Sequence, residues 1–144
     1  MSDDLAALRE SFYALLAAQR RLRGRDAVQK DELSFAQYRL LRRLAEAPEG
    51  LPAGRLAALA EVSSATITQM LDGLEKAGIA QRTRDADDRR VVVVALTPEG
   101  RRLQARKEAE LLRRWEAAFA DAGEDELRVG RDVLMRLAGF YDEL

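Results

Sequence analysis

Four consecutive valines, Val91–Val94, constrain the fold more than any other feature of this chain. Elsewhere Ala, Leu, Arg and Glu recur at helical spacing. β-Branched residues lose χ1 freedom in a helix and fit a pleated surface well. The run therefore predicts a strand over 90–96, with Val92, Val94 and Leu96 on one face and Val91, Val93 and Ala95 on the other. Ile79 to Arg84 reads as its partner, and Asp85-Ala86-Asp87-Asp88-Arg89 as the turn of a β-hairpin. Beyond it, Thr97 caps a helix with Pro98 at the first position and Glu99 near the positive end of the helix dipole.

Helices account for the rest. Leu5, Leu8, Phe12 and Leu15/Leu16 step by three and four, Leu22 lies further along the same stripe, and the end of this helix is basic (Arg20, Arg21, Arg23, Arg25), with Gly24 as its stop. Ser34-Phe35-Ala36-Gln37 fits a capping box and opens a second helix with Phe35, Tyr38, Leu41 and Leu44 inward; Pro48, Glu49 and Gly50 end it. Pro52 suits the first turn of a short third helix with Leu56, Leu59 and Ala60 inward, interrupted at Glu61 and Val62. Ser63 caps a fourth, whose inward face is Ile67, Met70, Leu71 and Leu74, with Gly78 in the left-handed position after its end. The fifth, long helix contributes Leu103, Leu111, Leu112, Trp115 and Phe119 and breaks at 121–123. The sixth carries Leu127, Val133, Leu134, Leu137, Phe140, Tyr141 and Leu144. The fold class is mainly α with a small β-hairpin.

The 144 residues include no Cys and no His. That excludes disulfides, thiol nucleophiles, thiol-based oxidant sensing, His-Cys zinc sites and His general bases. No cluster of carboxylates suggests a metal, so neither metal, cofactor nor catalytic residue is expected. No run approaches the roughly 20 apolar residues of a membrane span. The acidic start (Asp3, Asp4) does not resemble a secretory signal, so a cytoplasmic protein is expected. With 24 basic and 25 acidic side chains the net charge is −1. Nucleic-acid binders usually have a basic surplus, but the distribution of charge matters more than its sum.

That distribution is uneven. A helix, a tight turn, a second helix and a β-hairpin in that order make a winged helix-turn-helix, whose second helix can enter a DNA major groove. From Ser63 to Leu71 there is no acidic side chain. Opposite the apolar stripe lie Ser63, Ser64, Thr66, Thr68 and Gln69, short groups that can meet base edges or phosphates. Acids appear later, at Asp72 and Glu75. The wing supplies Arg82, Arg84, Arg89 and Arg90, suited to phosphate and to a narrow minor groove. Ser63 alone reads first as a cap. Asp85, Asp87 and Asp88 would repel phosphate unless they pair with wing arginines; on that reading Arg90 is structural and Arg89 touches DNA.

The stretch from Ser34 to Gly100 resembles the MarR family of bacterial transcriptional regulators. The likeness rests on the opening Ser34-Phe35-Ala36-Gln37-Tyr38, on Ser63 through Gly78, on Asp88-Arg89-Arg90-Val91, and on Leu96-Thr97-Pro98-Glu99-Gly100. The flanking helices match in number and order. The resemblance implies one MarR-like domain over 1–144, with a winged-helix lobe at 34–100 and a helical dimerisation lobe formed by 1–25 and 101–144. It implies a homodimer that binds a pseudo-palindromic operator, usually to repress, and releases it when a small, often phenolic or aromatic anion enters a cleft. Carried onto this chain, Ser64, Thr66, Thr68 and Gln69 read bases, Arg89 is the wing contact braced by Arg90, and Gln37 approaches phosphate. Some members pair the wing arginine with an acid that opens the recognition helix. Ser63 stands there in this chain, so a partner for Arg90 must lie elsewhere, for instance among the wing aspartates.

The stripes of the terminal helices are longer than the central lobe can cover, and Leu5, Leu8, Phe12, Leu134, Leu137, Phe140 and Tyr141 are candidates for a dimer interface. Tyr13, Leu16, Arg20, Tyr38 and Arg42 are candidates for an effector cleft. The competing reading is a winged-helix protein-interaction module, which would expose apolar side chains where Thr and Gln stand. An enzyme would need a Ser-Lys pair or a carboxylate dyad, and no motif supports either.

Overall fold

The computed structural model describes residues 2–26, 33–60 and 62–144. Glu61, expected to help interrupt the third helix, and the side chain of Arg25 lie outside what it describes. The elements in chain order are α1 (Asp3–Asp26), α2 (Phe35–Ala45), β1 (Leu51–Pro52), α3 (Ala53–Ala60), α4 (Ser64–Lys76), β2 (Ala80–Arg84), β3 (Val92–Leu96), α5 (Pro98–Ala118) and α6 (Glu124–Asp142). The chain divides into two compact units, 1–107 and 108–144.

In the first unit the caps form as their sequences dictate. Ser34 Oγ accepts from the Gln37 amide at 3.0 Å, while Gln37 Oε1 accepts from the Ser34 amide at 2.9 Å, which completes the capping box of α2. Ser63 caps α4, and Gly78 follows its end at φ 71°. Leu40, Leu41 and Leu44 of α2, Leu56 of α3, Ile67, Leu71 and Leu74 of α4, and Val94 and Leu96 of β3 form one continuous core. Val94 and Leu96 are the contribution of β3 because its alternate residues face the helices, and Ala80 is that of β2.

Several expectations need correction. α1 runs past Gly24 to Asp26, so that glycine sits within the helix. Leu51 and Pro52 do not open α3. They form an edge strand, Leu51 opposite Val94 and Pro52 opposite Val93, so the sheet has three strands in the order β1-β3-β2. Proline has no amide to donate, which an edge strand tolerates. The hairpin strands are shorter than read: Ile79 precedes β2, and Arg90 and Val91 belong to the turn, which Val91 closes by donating to the Asp88 carbonyl. Phe35, expected inward, is exposed, and Leu59 and Met70 are half-buried.

The second unit holds the rest of α5, from 108, and α6. Most of its large apolar side chains are exposed, Trp115 at 65%, while Leu111, Val133 and Leu137 are half-buried; the Trp115 and Phe119 rings meet tilted, with centroids 5.0 Å apart. Among the described residues no helix is long and apolar enough to cross a membrane, and no group of His, Cys, Asp and Glu could hold a metal ion.

Candidate nucleic-acid interface

α4 is anchored by Ile67, Leu71 and Leu74, so the residues between them turn outward. Ser63, Ser64, Thr66, Thr68 and Gln69 are all exposed. Their hydroxyls are partly committed. Ser63 Oγ accepts from the Thr66 amide at 3.1 Å and shares a hydrogen bond with Thr66 Oγ1 at 2.8 Å. Thr68 Oγ1 donates to the Ser64 carbonyl at 2.8 Å. These bonds hold the side chains in place and leave hydroxyl lone pairs free to accept. The Gln69 amide makes no side-chain hydrogen bond to another described residue, which leaves its donor and acceptor pair available. Gln37 is half-buried and its carbonyl oxygen serves the cap of α2.

The wing explains its own acids. Asp85 Oδ1 accepts from the amides of Asp87 and Asp88 at 2.8 and 3.0 Å and so folds the turn. Asp88 accepts from the Arg90 amide at 3.1 Å and from its guanidinium at 3.2 and 3.3 Å. Those side-chain bonds, with the backbone one behind them, hold the Asp88 carboxyl below the ordinary aspartate range. Arg90 therefore finds its partner among the wing aspartates, although 91% of its side chain stays exposed, so this is a surface pair. Arg84 donates to the Arg89 carbonyl at 3.2 Å and steadies the tip. The Arg89 side chain, at that tip, is exposed and has no ion pair with another described residue.

Arg82 behaves differently from the other wing arginines. Its Nε donates to Glu75 Oε2 and its Nη2 to Asp72 Oδ1, both at 2.6 Å, so it is tied to α4. The hydrogen bonds it donates to Asp72 and then to Glu75 push its pKa further up. At the other end of the hairpin, Thr97 Oγ1 donates to the Gly78 carbonyl at 2.6 Å and accepts from the Gly100 amide at 3.0 Å. The Thr97 amide donates to the Ile79 carbonyl at 3.0 Å. The start of α5 is thereby locked to the end of α4.

The five effector candidates are not brought together in one cavity. Tyr38 is buried in the helical layer of the first unit at 6% exposure, Leu16 is half-buried, Tyr13 and Arg20 are exposed, and Arg42 lies 3.8 Å from Glu46. A cavity of about 240 Å³ is instead lined by Arg23, Phe35, Ala36, Arg39, Ala60, Val62 and Met70, none of them among those five. Sequence reasoning missed this lining. The available signal was that Phe35 and Arg39 stand four apart on α2, away from the Leu41–Leu44 face. The seven candidate interface residues on the terminal helices are exposed except Phe12 and Leu137, which are half-buried.

A sequence model described as the MarR family matches residues 33–92. The chain is 31% identical over 120 residues to the HTH-type transcriptional regulator FarR of Neisseria gonorrhoeae, spanning 83% of this chain and 82% of that protein. Among solved structures it resembles the transcriptional repressor CouR bound to a 23-mer DNA duplex, with a TM-score of 0.71, 30% identity and 90% of each chain covered. It also resembles NadR in complex with 4-hydroxyphenylacetate, with a TM-score of 0.59, 28% identity, and 96% of this chain and 94% of that one covered. The order of elements, the capped helix α4, the three-stranded sheet and these likenesses agree: the chain belongs to the MarR family, whose members are transcriptional regulators and not enzymes.

Proposed function

We propose that two copies of this chain bind a pseudo-palindromic DNA operator in the cytoplasm and repress transcription from it until a small effector releases them. The observation that carries this reading is the outer face of α4. It is acid-free from Ser63 to Leu71, exposed and anchored from behind, and it stands beside a wing whose tip arginine has no ion pair among the described residues. α4 enters the major groove, where Gln69 pairs with a base edge and the methyl groups of Thr66 and Thr68 meet apolar surface. Ser64 meets a phosphate or base edge, Ser63 chiefly caps, and the start of α2 at Gln37 approaches phosphate. Arg89 reaches the backbone or minor groove, while Arg84 and Arg90 hold the wing in shape.

Dimerisation through the helices of 1–25 and 101–144 would cover Leu5, Leu8, Phe12, Leu134, Leu137, Phe140 and Tyr141. It would set two recognition helices about 34 Å apart, one turn of DNA. That CouR is bound to a DNA duplex supports the DNA reading; that NadR is in complex with 4-hydroxyphenylacetate supports an effector with an anionic group and an aromatic body. The cavity lined by Arg23, Arg39, Phe35 and Met70 fits such chemistry, with guanidinium groups for the anion and apolar walls for the ring. Because Met70 is on α4, a ligand there would bear on the recognition helix, and release follows if it binds the DNA-incompetent state better. A protein-interaction module would need apolar side chains on the outer face of α4, where Ser, Thr and Gln stand.

The test is a mobility-shift assay of the purified protein against fragments of its own genome, repeated across a salt series. Binding that weakens steeply with salt is expected. Failure to shift any fragment, or binding indifferent to salt, refutes the DNA reading.

A further inference from the structure

We propose that Arg82 is a positioning residue: it ties the wing to the recognition helix and partly offsets the two carboxylates which that helix would otherwise bring toward DNA. The proposal rests on the DNA-binding reading above. Asp72 and Glu75 are three residues apart and so share one face of α4. Arg82 is the third residue of β2, opposite buried Val94 on β3. Its side chain shares a face with buried Ala80, whereas Gln81 and Thr83, on the other face, are exposed. The strand register therefore aims Arg82 at α4. There a single guanidinium meets both acids at 2.6 Å, with 32% of its side chain exposed.

A phosphate contact that drew the Arg82 fork away from α4 would break its bonds to both carboxylates. That would unmask two negative charges close to the DNA for each positive charge delivered. Kept where it is, the fork crosses from strand to helix and fixes the direction in which the wing leaves α4. Lysine has no planar fork and would not bridge both acids in this way.

The test compares wild type, Arg82→Ala and the double variant Asp72→Asn/Glu75→Gln on a fragment that the wild type shifts, between 50 and 200 mM salt. Both variants should lose about tenfold in affinity, while Arg82→Ala keeps the wild-type slope of log K against log salt; a lost phosphate contact would lower that slope by about 0.9. The double variant is decisive. It removes two negative charges and leaves the arginine in place, so a phosphate-contacting Arg82 predicts tighter binding, and the brace predicts weaker. Without DNA, hydrogen exchange at the β2–β3 ladder should quicken in both variants, with the Leu40–Leu44 turn of α2 unchanged. Unchanged or tighter binding by the double variant, a slope lowered by about 0.9 in Arg82→Ala, or unchanged wing exchange would each overturn the proposal. Because exchange is read without DNA, its result stands apart from any failure of the wild type to bind.

Discussion

Arg89 and Gln69 are both exposed polar side chains near the same surface, yet they should fail differently when removed. On the proposed reading Arg89, at the wing tip, meets the uniform DNA backbone. Arg89→Ala should weaken binding on every sequence and lower the salt slope by about 0.9, measured by titration on several fragments. Gln69 carries an amide that suits one base. Gln69→Ala should cost about 1–3 kcal/mol at a single base position and little elsewhere. Asp88 makes a third residue-level prediction. Hydrogen bonds from Arg90 favour its charged form, so its folded pKa lies below the unfolded one. Its contribution to wing stability is thus complete above the unfolded value and lost as pH falls through the folded one. The carboxyl resonance of Asp88 should titrate below the ordinary aspartate range, and Arg90→Ala should return it upward. Near neutral pH the wing should be insensitive to this group.

Between elements, the joint of α4 with α5 is the most exacting. A Cβ on Gly100 would stand 1.9 Å from the Ile79 carbonyl oxygen, a backbone atom that cannot swing aside. Gly100→Ala should destabilise the fold by at least the roughly 1–3 kcal/mol typical of overpacking, read as a lower urea midpoint. Thr97→Val removes a cap and the tie to Gly78, and should cost about 1–2 kcal/mol in the same assay. Thr97-Pro98-Glu99-Gly100 could be read from the sequence as a helix start because a cap acts across three residues. Its second task, clasping Gly78 and Ile79, lies far off in the chain and has no local signal. The same contrast holds for β1. A lone Leu51-Pro52 looks like the first turn of a helix, and only β3 lying alongside makes it a strand.

For the molecule as a whole, the terminal helices carry more apolar surface than one chain covers among its described residues, from Leu5 and Leu8 on α1 to Leu134, Phe140 and Tyr141 on α6. Burial against a second copy is the proposed use of that surface. A charge introduced there would have to be desolvated without a partner. Leu134→Arg should therefore shift the protein toward monomer in analytical ultracentrifugation. It should weaken operator binding far more than binding to a half-site. If the variant stays dimeric with full affinity, the interface lies elsewhere. Net charge, which pointed mildly away from DNA, misleads at this scale. Asp85 and Asp88 are spent on the wing's own turn, and Asp72 and Glu75 on Arg82, so the acids counted in the total are not presented freely.

What the sequence settled alone were the features whose causes lie within a few residues: the capped helices at Ser34, Ser63 and Thr97, the outward Ser-Thr-Gln face of α4, and the strand demanded by Val91–Val94. Helical period, capping geometry and β-branching need no distant partner to act. The tertiary structure decided the partner of Arg82, the third strand, the tight approach at Gly100 and the residues that line the cavity. Those are choices among many distant groups of the same chemistry. With 24 basic and 25 acidic side chains the possible pairings are numerous, and only the packed backbone brings Arg82 to Asp72 and Glu75.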